Sequence, residues 1–115
     1  MTTVLSIFVG GGTGAVLRWF LSSKIGGHWG IFTVNVLGAF LIGLAVGYFS
    51  HKADLRPEIR SFVVTGFLGG FTTFSTYLLD FSNLVSAGKT GEAFLYLTGS
   101  VMIGLTALFA GMQAV

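Results

Sequence analysis

The chain has 115 residues, 53% of them hydrophobic and only 9% charged. Soluble domains carry about 25% charged residues, so an ordinary soluble fold is excluded. The net charge of +2 is small and the basic residues lie singly at the ends of apolar runs, which argues against nucleic acid as a partner, and the absence of cysteine removes disulfide and thiol chemistry.

The few charges are clumped. No Asp, Glu, Lys or Arg occurs in residues 1–17, 25–50, 61–79 or 93–115. A membrane-spanning helix needs roughly 17–25 mostly apolar residues. The pattern therefore predicts an all-α integral membrane protein: one domain over residues 1–115, with four transmembrane helices at about 4–23, 30–50, 58–82 and 92–113. A β-barrel would show alternating segments of about ten residues, and these runs do not alternate. The start is apolar at once, without the basic leader and small-residue cleavage site of a signal peptide, and reads as the first span.

The orientation signal is balanced. An even number of spans puts the termini and the loop HKADLRPEIR (51–60) on one side, with Lys52, Arg56 and Arg60; the other side has Lys24 and Lys89, with Arg18 near the end of span one. The positive-inside rule then favours neither orientation, as suits a dimer of oppositely inserted copies.

Span one contains VGGGTGAVLRWF (9–20). GGGTGA matches a loose dinucleotide-binding fingerprint, but that motif needs a preceding strand and an acid about twenty residues on. Neither is present, and Gly10 and Gly14 read instead as a G-x-x-x-G packing face. Arg18 has two readings: a side chain snorkelling to the headgroups, or a positive charge attracting an anion to a vestibule. In span two, GIFTVNVLGAFLIGLAVGYFS, Gly43 and Gly47 form another small-residue face. Asn35 is the polar exception. It either bonds a neighbouring helix or offers its NH₂ to a passing anion. Pro57 followed by Glu58 marks the first turn of span three. Trp19, Trp29 and Tyr48 fall near span ends, as interfacial aromatics do. His28 and His51 are read as loop residues without a ligand cluster. In span four, Tyr96 and Ser100 lie four apart on one face.

Span three holds FLGGFTTFSTY (67–77). A glycine pair costs a helix about 1 kcal/mol per residue relative to alanine, so Gly69-Gly70 predicts a break at mid-membrane. Half-helix ends there are common ion sites, and freed carbonyls suit a hard cation such as sodium. Phe71, Phe74 and Tyr77 recur at every third position. They are either core packing or rings presenting electropositive edges to an anion, helped by the hydroxyls of Ser75, Thr76 and Ser100 and the amide of Asn35. Donors without a lysine or arginine bind an ion weakly enough to release it. The residues alone thus point to an anion path with a structural cation.

GGGTGAVLRWF (10–20), FTVNVLGAFLIG (32–43) and above all TGFLGGFTTFSTY (65–77) resemble the Fluc, or CrcB, fluoride channel family over nearly the whole chain. The resemblance implies a passive, fluoride-selective channel exporting the ion across a prokaryotic-type cell membrane to reduce its toxicity. It implies an antiparallel dual-topology homodimer with two pores, and a central Na⁺ that is structural and not transported. Carried over by motif, Gly69 and Thr72 hold sodium by their backbone carbonyls. Asn35, Phe74, Tyr77, Tyr96 and Ser100 fall on the pore, with Ser75 and Thr76 beside them, and Arg18 on the vestibule. Where the family commonly has phenylalanine, serine and glutamate, this chain has Tyr77, Leu78 and Asp80; Gly104 and Ile31 replace further polar positions. This thinner polar track leaves open one subunit of a paired, heterodimeric fluoride channel. A small dual-topology multidrug exporter is the other alternative, but its proton coupling calls for an acid in span one, which has none. No nucleophile–base pair or metal set suggests an enzyme.

Overall fold

The computed structural model describes residues 1–52 and 54–115; position 53, in the expected connector, lies outside them. The described residues are helical and contain no strand. We number the helices α1 (Thr2–Ile25), α2 (Gly27–Phe49), α3 (residues 57–71), α4 (Ser75–Ser86) and α5 (Thr90–Ala114). Taking α3 and α4 together as one span, four segments among the described residues are long and apolar enough to cross a membrane. Each begins earlier than hydropathy predicts, because polar first turns such as Thr90-Gly91-Glu92 are helical although they add nothing to the apolar run.

A sharp reversal joins α1 to α2. Gly26 and Gly27 turn the chain between α1 and α2 with φ of 81° and 64°, a region that only glycine enters freely. His28 is not in a loop, as expected from the sequence, but in the first turn of α2. Its Nε2 lies 3.0 Å from Glu92 Oε2 in the first turn of α5, and its ring meets Tyr96 edge-on at 4.9 Å.

The third span is interrupted within its apolar run. Pro57 opens α3 at its first turn, with Glu58 beside it; Ser61–Leu68 is wound as a π-helix and Gly69–Phe71 as α-helix. Thr72 is then extended (φ −96°, ψ 157°), and α4 starts at Ser75. The break lies just after the expected one. Gly69 is helical, with φ −62° and ψ −39°, and Gly70 is helical too. Gly70 is used for close approach: a Cβ there would run into the Gly11 carbonyl of α1.

The interruption lets one span serve two neighbours. Before it, α3 runs along α1, where a Cβ on Gly10 would sit 2.7 Å from the Phe62 carbonyl, and one on Gly14 would collide with that of Phe67. After it, α4 packs on α2 and α5. A similar contact joins α2 to α5, with Gly43 against the Leu108 carbonyl and Gly111 against that of Phe40. These are the small-residue faces read from the sequence, and they bring backbones together as such faces do in lipid. The best-buried cluster, Ile31, Val34, Phe71, Tyr77, Leu84, Ala93 and Tyr96, gathers around the break and α4.

Candidate ion site at the helix break

Ending a helix inside hydrocarbon leaves its last four carbonyls without main-chain partners, and in lipid each must be satisfied within the protein. Two side chains from two helices do much of this. From α1, Arg18 Nη1 donates to the Gly70 carbonyl at 2.7 Å and to the Thr72 carbonyl at 3.4 Å. From α2, Asn35 grips Thr73 both ways: its Nδ2 donates to the Thr73 carbonyl at 2.9 Å, and its Oδ1 accepts the Thr73 N–H at 2.8 Å. In a continuous helix that N–H would serve the Gly69 carbonyl. Among the described residues no backbone N–H replaces it there.

Thr73 also starts the next helix. Its hydroxyl accepts the Thr76 N–H at 3.3 Å, satisfying one of the orphan donors at the start of α4. It donates to Thr76 Oγ1 at 3.3 Å and lies 3.5 Å from Ser75 Oγ. Thr72 turns the other way, donating its hydroxyl back to the Leu68 carbonyl at 3.0 Å.

Beside the break runs a groove of about 310 Å³, lined by Asn35, Ala39 and Ile42 from α2, Thr72–Phe74, Tyr77 of α4, and Ser100 and Val101 of α5. Phe74 stands on its outer rim, 71% exposed in the single chain. Tyr77 lies deeper, its ring 6.0 Å from that of Phe74 and 5.3 Å from that of Tyr96. The Tyr77 hydroxyl donates to the Leu97 carbonyl. Ser100 Oγ is buried and, among the described residues, has no hydrogen-bond partner. A buried hydroxyl without a partner is uncommon in native structures.

The sequence-predicted residues are thus partly assembled. Asn35, Thr72, Phe74, Tyr77 and Ser100 share the groove. Ser75 and Thr76 lie at the start of α4 with their hydroxyls near that of Thr73. Tyr96 is buried behind Tyr77 and donates to Asp80 Oδ2 at 3.0 Å. Gly69 is on the exposed side of α3, away from the groove lining. Arg18 reaches the carbonyl end of α3. Thr73, which the resemblance places neither on the pore nor on the sodium site, has both main-chain groups held by Asn35. The available signal was Asn35, whose two-sided amide, placed in a membrane span, calls for a main-chain partner such as an interrupted helix exposes.

The match to a protein-family model described as "CrcB-like protein, Camphor Resistance (CrcB)" covers residues 5–112. The chain is 40% identical to the fluoride-specific ion channel FluC of Rhodopseudomonas palustris (strain BisB5), over 98% of this chain and 96% of that one. It is 45% identical to the FluC of Burkholderia vietnamiensis (strain G4), over 92% and 88%. Against a protein named fluoride-specific ion channel FluC 2, from Nitrobacter hamburgensis, it is 41% identical over 96% and 94%. These relatives are named as ion channels, not as enzymes. With the interrupted third span, the matched residues and the near-complete coverage, this multi-pass membrane protein belongs to the CrcB-like family.

Proposed function

We propose that the chain forms a passive, fluoride-selective channel in a bacterial-type cell membrane, and that the groove beside the break is one wall of its pore. One observation carries the reading to specific atoms: Ser100 Oγ is buried without a partner in the wall that also carries Asn35, Phe74 and Tyr77. These groups offer positive partial charge and no fixed cation. Asn35 spends one amide proton on Thr73 and keeps the other. The ring edges of Phe74 and Tyr77 are electropositive, and Ser100 can donate its hydroxyl proton. Together they replace part of the hydration shell of a small, hard anion and hold it weakly enough for release. Membrane voltage, negative inside, drives the anion out with about 2.3 kcal/mol per elementary charge per 100 mV.

The pore is completed by a second, inverted copy in this proposal. Support comes from the balanced basic residues and from Phe74 at 71% exposure, which leaves the groove open on its outer side. A structural sodium ion between the copies fits the donors present. Among the described residues the Gly69 carbonyl has no backbone N–H partner, and Thr72 presents its carbonyl from extended backbone. Hard oxygens of this kind suit sodium, which when bound supplies positive charge to the two carbonyl ends. The name FluC 2 on one relative keeps a paired paralogue as the alternative partner.

The test is fluoride release from proteoliposomes, read by electrode, with chloride as control. The expected result is fast fluoride release, little chloride release, and at least about a tenfold loss in Phe74→Ile with the fold intact, since an exposed side chain contributes little to stability. Equal flux of both halides would remove the selectivity, and normal flux in Phe74→Ile would remove the ring from the path. Cross-linking that captures only parallel pairs would remove the inverted dimer.

A further inference from the structure

We propose that His28 is a positioning residue for the wall of the groove: Glu92 holds its ring against Tyr96, and Tyr96 in turn backs Tyr77. The proposal deepens the channel reading and rests on it for the flux arm of the test below.

The turn before α2 puts the imidazole in place. Gly26 and Gly27, both at positive φ, reverse the chain so that His28 and Trp29 open α2 beside the start of α5. Gly30 lets α2 close up on α1, since a Cβ there would run into the Ser22 carbonyl. On α5, Glu92 and Tyr96 are four residues apart and share one face. His28 meets both. Its Nε2 is 3.0 Å from Glu92 Oε2, and its ring stands edge-on to that of Tyr96, at 82° with 4.9 Å between centroids. The His28 side chain is only 17% exposed.

Tyr96 carries the contact inward. It is 1% exposed. From α2 the Trp29 ring also meets it edge-on, and toward α4 its hydroxyl donates to Asp80 Oδ2 at 3.0 Å. Its ring lies 5.3 Å from that of Tyr77, which lines the groove. His28 is not part of the lining. A close-packed interior transmits displacement, so a shift of the imidazole reaches the groove through two rings in succession.

The contact with Glu92 is one of charge. Among the described residues Nε2 makes no hydrogen bond, although the carboxylate oxygen is 3.0 Å away. The attraction therefore needs the imidazolium. Glu92 stands in the first turn of α5 and against the first turn of α2, two positive helix ends that favour a carboxylate. An imidazole ordinarily gains its proton between about pH 8 and pH 5, where an ordinary carboxylate is already ionised. The pair is thus complete on the acid side of neutrality and lapses as pH rises. The other charged groups of the region are engaged elsewhere or apart: Asp80 of α4 accepts from Tyr96, Lys24 of α1 lies over the Phe20 ring at 5.1 Å, and Lys89 forms no ion pair among the described residues. No side chain of the groove lining changes charge in that interval. A pH-dependent flux that disappears with either partner therefore reports the pair and not the ion path.

The experiment is fluoride efflux from proteoliposomes at about pH 6 and about pH 8, counting only the efflux that requires valinomycin so that neutral hydrogen fluoride is excluded. Wild-type efflux is expected to be about two- to fivefold faster at the lower pH, the range open to an ion pair in partial contact with water. His28→Gln and Glu92→Gln are each expected to abolish that ratio. A flat wild-type profile, or a ratio that survives in either variant, would overturn the proposal. If His28→Gln yields no folded protein, Glu92→Gln decides in the same way, because it leaves the ring on Tyr96. Thermal midpoints of the wild type, both single variants and the double variant, taken in detergent at the same two pH values, give an independent reading. Non-additivity at the lower pH that vanishes at the higher supports the pair, and additivity at both overturns it. If the wild type carries no fluoride at either pH, the channel reading fails, and the midpoints alone decide whether Glu92 holds His28.

Discussion

Replacing Asn35 by alanine separates two roles that the sequence left open, holding a neighbouring helix and meeting an ion. The side chain makes two hydrogen bonds to one residue, at 2.9 and 2.8 Å, both to the main chain of Thr73. A hydrogen bond lost where water can replace it costs about 0.5–1.5 kcal/mol, and one that leaves a buried group bare costs about 1–3. Thr73 is half-buried and lines the groove, so its two main-chain groups fall between these cases. The expected loss is about 2–4 kcal/mol for the pair. At about 1.4 kcal/mol per tenfold, the local closing equilibrium shifts by roughly 30- to 1000-fold. Amide exchange at Thr73 should accelerate by a factor in that range, the thermal midpoint should fall, and fluoride flux should fall with them. Lost flux with unchanged exchange at Thr73 and an unchanged midpoint would refute the reasoning, since the amide would then be acting on the ion and not on the break.

Two further substitutions probe the packing and the groove wall. Gly14→Ala should destabilise the protein by about 2 kcal/mol or more, as overpacking against backbone does, because its Cβ would meet the Phe67 carbonyl. Gly104→Ala, with nothing within 4 Å of the added carbon, should be neutral or stabilising by up to about 1 kcal/mol; thermal unfolding in detergent compares the two, and a Gly104→Ala loss as large as that of Gly14→Ala would put a partner subunit against that face. Ser100→Ala removes a buried hydroxyl that has no partner, so stability should rise by about 1 kcal/mol while fluoride flux drops; a fall in stability would show that the hydroxyl is bonded in the membrane.

The architecture was legible because lipid imposes a simple rule. Charges are scarce in spans, so the uncharged runs 1–17, 25–50, 61–79 and 93–115 outline the helices. Gly10, Gly14 and Gly43 were readable as contact faces because a small residue at helical spacing has few other uses in such a segment. The break was placed close to its true position for an incomplete reason. A glycine pair reports both a weak helix and a close neighbour, and only the position of α1 shows that Gly70 serves the second. The opening falls at Thr72 because side chains from two other helices capture its carbonyl and the two main-chain groups of Thr73. That choice is non-local: Asn35 and Thr73 stand 38 positions apart and Arg18 and Thr72 stand 54. The helical state of His28 was hidden for a similar reason. Two glycines precede it and suggest a loop, yet Glu92 across the bundle and the ring of Tyr96 hold it in the first turn of α2.

The break also sorts hydrogen-bonding groups by sign, which bears on the ion each side can accept. Stopping α3 inside the bilayer releases acceptors, and those bonded to Arg18, the carbonyls of Gly70 and Thr72, are drawn toward α1. The donors stand on α2 and α5, where the second amide proton of Asn35 and the hydroxyl of Ser100 remain unspent, with the rings of Phe74 and Tyr77 between them. A single uninterrupted helix has neither surplus along its length, because each carbonyl meets an N–H four residues on. Interrupting one helix in a chain nearly free of charge therefore creates a region rich in oxygen lone pairs, beside side-chain donors that the neighbouring helices supply. The first suits a fixed cation, whether guanidinium or sodium, and the second suits a small anion in transit. A change that reseals the helix should therefore remove the acceptor surplus at Gly70 and Thr72 and free Asn35 from Thr73, while leaving the Ser100 hydroxyl where it is.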